Sequence, residues 1–266
     1  MSDLQFIQLN ERAYRYIRGY AIKSAEDALI ELVTNCVDAY KKKVSDDKTA
    51  IIEIEYREPG TLVVRDFAIG LTGEEMEKCF LQVGNYTNTQ DSQSRGFFSR
   101  GAKDISAIGD VEFNSIKDGK YSKVILDSNA YGKLDIGDLP LEQSAENLRE
   151  KLKIEAGNGM VVVLTLLVNF LVNNPSDLAE SLSKLATLRD IMSDENNHIY
   201  FSHIDKYGGT LFKRRLLYSY PAPSSLLLEL TYNVPNYPNS VATWKVYKTI
   251  DPIEQPKKDN EMRFGF

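Results

Sequence analysis

Glu31-Leu32-Val33-Thr34-Asn35-Cys36-Val37-Asp38-Ala39 is the stretch on which the reading of this chain turns. Leu29, Leu32, Val33, Cys36 and Tyr40 recur at the i, i+3, i+4, i+7 spacing of a helix that buries one stripe, and Ser24 with Asp27 three residues on makes a capping box at its start. At about 100° per residue, Glu31, Asn35 and Asp38 fall roughly 180–240° round from that stripe. An ordinary amphipathic helix would show such a polar strip to water. Here Ile30 and Val37 flank it with groups that prefer burial, so the strip is narrow and suits a cleft.

Outward from that helix, the chain of 266 residues is 42% hydrophobic and 26% charged, the balance of a soluble globular protein with room for one large domain or two modest ones. A net charge of −6 and a pI near 5.2 weigh against a broad phosphate-binding surface, so nucleic acid is not the first expectation. Cys36 and Cys79 show no pairing or metal-ligand spacing and read as buried thiols of a reducing compartment. His198 and His203 lack a partnering cysteine, which makes structural histidines the expectation rather than zinc ligands. Residues 1–20 hold no apolar signal segment, and the longest apolar run, 160–168, is too short to span a bilayer. A cytoplasmic protein without a membrane span is expected.

Along the chain, residues 51–56 and 61–66 alternate as strands about the turn Glu58-Pro59-Gly60, a hairpin that ends on Asp66. Residues 73–83 read as a short helix, and the polar stretch up to residue 100 as a disordered segment or a mobile lid. A helix starts at 102 directly after a glycine-containing loop; strands follow at 111–116 and 121–126, then a helical insertion over 139–154. The apolar run 160–168 implies a strand buried on both faces at the centre of a sheet. Beyond Pro175 the pattern predicts one helix over 176–192 and strands near His198, Leu211, Leu226 and Val241, with a domain boundary between 172 and 173.

Several of these residues suit a magnesium nucleotide. Magnesium takes few protein oxygens and completes its shell with phosphate and water, and Asn35 can supply one. One turn earlier, Glu31 can polarise a water aimed at a terminal phosphate. Asp66 can accept from the exocyclic amine of adenine, where guanine presents a carbonyl. The loop from Gly96 to Gly101 offers backbone amides ahead of a helix, and Arg100 or Lys103 can neutralise phosphate charge.

The order of these pieces resembles the GHKL superfamily, the ATPases typified by gyrase, heat-shock protein 90, histidine kinases and mismatch-repair MutL. Residues 31–39 resemble its E-x-x-x-N helix with the trailing Asp38-Ala39, and residues 66–70, from Asp66 to Gly70, its D-x-G-x-G turn. Gly84 and Thr87 resemble its G-x-x-S/T element, and Gly96, Phe98 and Gly101 its lid motif; Lys103 matches a lysine of the MORC-like branch. The trailing Asp-Ala and the acidic base place the likeness nearest the heat-shock-protein-90, MutL and MORC side. This chain departs at Ala68 and Ser99, where the family has glycine, and at Met160, where it often has threonine.

The resemblance covers roughly residues 10–168. It implies an α/β (α+β) fold, a two-layer sandwich of helices on a mixed, largely antiparallel sheet over 1–172, followed by a second, smaller α/β region, transducer-like, over 173–266. It also implies Glu31 as base, Asn35 as metal ligand, and Asp38, Asp66, Gly70, Gly84, Thr87, Gly96, Phe98, Arg100, Gly101 and Lys103 around ATP and Mg2+. The expected activity is slow magnesium-dependent ATP hydrolysis driving lid closure, with room for a nucleotide-dependent homodimer and an unidentified protein client. The alternative is a non-hydrolysing nucleotide sensor or scaffold. Nucleic-acid handling, resting on Lys41-Lys42-Lys43 and Lys213-Arg214-Arg215, ranks third.

Overall fold

A computed structural model describes residues 19–43, 49–82, 101–219, 225–235 and 240–248. The stripe of the leading helix forms α1 (Ala25–Lys41), with Ala28, Leu29, Leu32, Val33 and Cys36 buried. Ser24 Oγ accepts from the Asp27 amide at 3.1 Å, but the Asp27 carboxylate accepts from the Lys23 amide rather than from that of Ser24. The capping box is therefore shifted by one residue on its return arm.

The sheet on which α1 lies has eight strands: β1 (Ala50–Arg57), β2 (Thr61–Asp66), β3 (Gly109–Lys117), β4 (Lys120–Leu126), β5 (Gly132–Pro140), β6 (Gly159–Leu166), β7 (Asn197–Ile204) and β8 (Thr210–Leu216). Their order is β5-β4-β3-β6-β2-β1-β7-β8, with every pair antiparallel except β1 and β7. The architecture is thus α+β, a large mixed and mostly antiparallel sheet packed with helices. Register explains the core: Phe113, Val162, Val64, Ile54 and Phe201 are successive cross-strand partners, all buried, forming one apolar row across five strands. Phe80 of α2 (Gly73–Leu81) stacks on Phe113 at 3.9 Å between ring centroids, which holds α2 on the same side.

On the opposite side of the sheet, Leu148 and Leu152 of the short α4 (Leu148–Leu152) pack with Val63, Ile116, Tyr121, Ile154 and Val161. Strand β6 is accordingly buried on both faces at Val161 and Val162, as a central strand should be, and emerges at Thr165. Beside α4 lies an ion network centred on the buried Arg65 and Glu55. Arg65 donates to Glu53 at 2.7 Å, to Glu55 at 3.4 Å and to the Leu152 carbonyl at 2.7 Å, while Glu55 also accepts from Arg57 at 2.8 Å and Lys153 at 3.0 Å.

Several expectations are corrected. The sheet does not stop at residue 172: β7 pairs with β1 and β8 with β7, so the first compact unit runs Met1–Leu217 and the second Tyr218–Phe266. Within the second unit the described residues form a two-stranded antiparallel sheet, β9 (Leu226–Asn233) with β10 (Val241–Tyr247), and no helix among them makes it α/β. The single helix expected over 176–192 is broken at Leu185, which is extended, into α5 (Pro175–Lys184) and α6 (Arg189–Ser193). The helical insertion expected over 139–154 is present as two short pieces, a 3-10 turn at 141–143 and α4, after the last two residues of β5 and with a loop between them. Among the described residues no helix is long and apolar enough to cross a membrane.

Candidate functional site

Glu31 and Asn35 are one turn apart on α1, and the Asn35 carboxamide nitrogen donates to Glu31 Oε1 at 3.1 Å. That contact turns the carboxamide oxygen, the atom a metal would take, away from Glu31. Both side chains are half-buried, as a cleft-facing strip requires. Burial raises the Glu31 carboxyl above its ordinary range; the Asn35 hydrogen bond opposes this, and the charges of Asp104 and Asp38 add to it. Asp38 is buried at the end of the strip and pairs with Lys41 at 2.7 Å.

Gly101 opens α3 (Gly101–Asp104) and lies on the Glu31 carboxylate so closely that a β-carbon there would overlap it. The helix expected from residue 102 is a single turn followed by a 3-10 turn at 105–107, too short for a substantial dipole. Lys103 is buried, its ammonium on the Gln82 carbonyl. Gly84, Thr87, Gly96, Phe98 and Arg100, with most of the lid expected before residue 101, lie outside the described residues.

Asp66 closes β2 and is buried against α1. Its carboxylate accepts from the Ala68 amide at 3.0 Å, with the Met160 amide and the Cys36 thiol nearby. Burial pushes its carboxyl up to about 6, those three groups and the charge of Lys43 pulling the other way. Cys36 in turn is pushed well up by burial and by the charge of Asp66. Tyr40, at the next turn, donates to the Ile51 carbonyl at 2.8 Å and accepts from the Phe67 amide at 3.0 Å, so it pins the chain as it leaves Asp66.

The turn after Asp66 needs one left-handed residue, Gly70 at φ +60°, where a β-carbon would overlap the Ile116 carbonyl. Ala68 has no positive φ, so alanine brings no backbone strain there. Ser115 ties the turn to β3, donating to the Leu71 carbonyl at 2.8 Å and accepting from its amide at 2.7 Å. Gly159 is held small by the Asp66 carbonyl, which a β-carbon would strike.

Three contributors escaped the sequence reading: Asp104 beside Glu31, and Cys36 and Tyr40 around Asp66. Cys36 and Tyr40 carried only the signal of a core stripe. Cys79, expected to be buried, is half-buried. Of the two basic clusters, Lys41 is paired with Asp38 and Lys43 donates to the Phe67 carbonyl; Lys213 lies 3.6 Å from Glu53, and Arg214 and Arg215 donate to the carbonyls of Ser176 and Asn197.

No family model matches the chain, and no curated protein matches it. Among solved structures it is similar to the N-terminal domain of a DNA repair protein, with 18% identity, 78% of this chain and 56% of that chain covered, and a TM-score of 0.48. The chain therefore spans little more than half the length of that neighbour, whose function is not carried over to it.

Proposed function

We propose that this chain binds magnesium ATP and hydrolyses it slowly, as an ATPase of GHKL type. The observation that supports this best is the gathering of Asp66 and Gly101, remote in sequence, along the helix α1 that carries Glu31 and Asn35. Asn35 offers an oxygen for the metal, and Glu31, desolvated and hydrogen-bonded, holds a water in line as base or orienting group. Asp66 is ionised at neutral pH in a buried place, where it accepts the adenine amine and disfavours the guanine carbonyl. Among the described residues no group of three or more His, Cys, Asp or Glu is placed to hold a metal, so magnesium would draw its other oxygens from phosphate and water and neutralise the phosphate charge. On this reading the partners are ATP, a second copy in the nucleotide-bound state and a protein client.

A second reading, a non-hydrolysing nucleotide sensor or scaffold, is favoured by the engagement of Lys103 with Gln82 and by the shortness of α3. Calorimetric titration with magnesium and a non-hydrolysable ATP analogue, combined with a phosphate-release assay on ATP, separates the two. Binding with turnover supports the ATPase, and binding without turnover supports the sensor. Absence of binding rejects both.

A further inference from the structure

We infer that the free edge of β8, with the cationic sheet face beside it, is a docking surface for an extended acidic segment of a partner protein, which adds to the sheet as a further strand. This surface lies on the side of the sheet that carries α4, opposite the helix of the candidate nucleotide site. β8 is the last strand in the sheet order, and among the described residues no strand lies along its outer edge. Register places Glu53, Tyr200 and Arg215 in one cross-strand row and Glu55, Ser202 and Lys213 in the next, all on one face. Arg57 of β1, Arg65 of β2 and Lys153 after α4 join them there.

Five cations thus stand among two carboxylates. Glu55 accepts from Arg57 at 2.8 Å and from Lys153 at 3.0 Å, and Glu53 accepts from Arg65 at 2.7 Å. Lys213 stands 3.6 Å from Glu53 and 5.4 Å from the centre of the Tyr200 ring. Arg215 donates to the Asn197 carbonyl at 3.2 Å and forms no ion pair among the described residues. A chain of net charge −6 therefore keeps a positive surplus on this face, with Lys153, Lys213 and Arg215 exposed. Cations on an edge strand repel a second copy of the same edge, so they admit an acidic strand while rejecting others. Lys213 and Arg215 are two residues apart, about 7 Å along the strand, which is the spacing of same-face side chains in an extended peptide laid beside them. The free edge also offers backbone amides and carbonyls that a peptide can match one for one. A nucleic acid has no such ladder, and its continuous phosphates would meet Glu53 and Glu55 between the cations.

The test is fluorescence anisotropy on the full chain with a labelled peptide of alternating Glu and Thr, about eight residues long, at low salt. The peptide should bind. Its dissociation constant should rise at least about tenfold in the Lys213→Glu, Arg215→Glu double variant, and about threefold in the milder Lys213→Gln, Arg215→Gln pair, whose thermal midpoint should match the wild type. Charge reversal at Lys120 and Lys184, exposed cations elsewhere on the molecule, should leave it within about twofold. Counterparts with Gln or Lys in place of Glu, and the Glu peptide N-methylated along its backbone, should bind at least about tenfold more weakly. Absence of binding, or binding indifferent to Lys213 and Arg215, overturns the proposal. Equal binding of the Gln counterpart removes the acidic partner, and equal binding of the methylated peptide removes the added strand. A single-stranded oligonucleotide of about 20 nucleotides that binds more tightly than the peptide, through the same two residues, would make this a nucleic-acid surface and overturn the proposal as well.

Discussion

Gly101 packs on the carboxylate of Glu31 with no space for a β-carbon between them. The end of a flexible side chain can give way at modest cost to stability, but then Glu31 no longer stands where it could orient a water. Gly101→Ala is therefore expected to leave the thermal midpoint within a few degrees of the wild type while lowering ATP turnover by roughly 100-fold, the penalty of a displaced catalytic group. Phosphate release and a melting curve on the same preparation check this, and retained turnover would mean that Glu31 is not used in place.

Glu31→Ala should abolish turnover with little change in nucleotide affinity, since a water-orienting carboxylate acts in the transition state. Asn35→Ala should instead weaken binding, and only when magnesium is present. Titrations with magnesium and with a chelator distinguish the two variants.

Asp66→Asn should lower ATP affinity and erode the preference over GTP, because an acceptor facing the adenine amine gains a donor. Its effect on stability should depend on pH. The folded carboxyl titrates near 6 against an ordinary value of 3.8, so the fold tolerates the protonated form fully below 3.8 and is penalised as pH rises through 6. That penalty is on the order of 3 kcal/mol. Compared with the wild type, Asp66→Asn is thus expected to be relatively more stable at pH 8 than at pH 4, as read by denaturant unfolding at both values.

Gly70→Ala meets both a left-handed backbone and the Ile116 carbonyl, and should destabilise the protein by more than about 1 kcal/mol. Ala68→Gly should leave nucleotide affinity unchanged and reduce stability only slightly, since Ala68 has no positive φ to relieve. A gain in affinity on Ala68→Gly would show that the turn rearranges around nucleotide.

Glu55→Ala should be the most destabilising of these changes, by about 3 kcal/mol, because it leaves Arg65 buried with one carboxylate fewer. Its cationic neighbours hold the Glu55 carboxyl down at about 2 against an ordinary 4.5, although burial alone would raise it. The ion network is therefore intact above pH 4.5 and is lost as pH falls toward 2. Acid unfolding should begin at higher pH in Glu55→Gln than in the wild type.

Elements whose pattern repeats within a few residues were legible from the chain alone. The stripe of α1, the β1–β2 hairpin ending on Asp66 and the buried run of β6 each follow from period 3.6, period 2 or continuous hydrophobicity, because neighbouring residues suffice to encode them. Strand β5 was not legible: it lies at the sheet edge, carries two glycines and has no fully buried residue, so it has little apolar alternation to read. The pairing of Glu31 with Asn35 was readable as a one-turn spacing. That Gly101 would land on Glu31, that Cys36 would lie near Asp66, and that residues 197–216 would extend the sheet through a parallel pairing with β1 were decided only by tertiary structure. A period-2 pattern says which face of a strand is buried but not which strand lies beside it, and a helix stripe says that a side chain faces the sheet but not which residue it meets there.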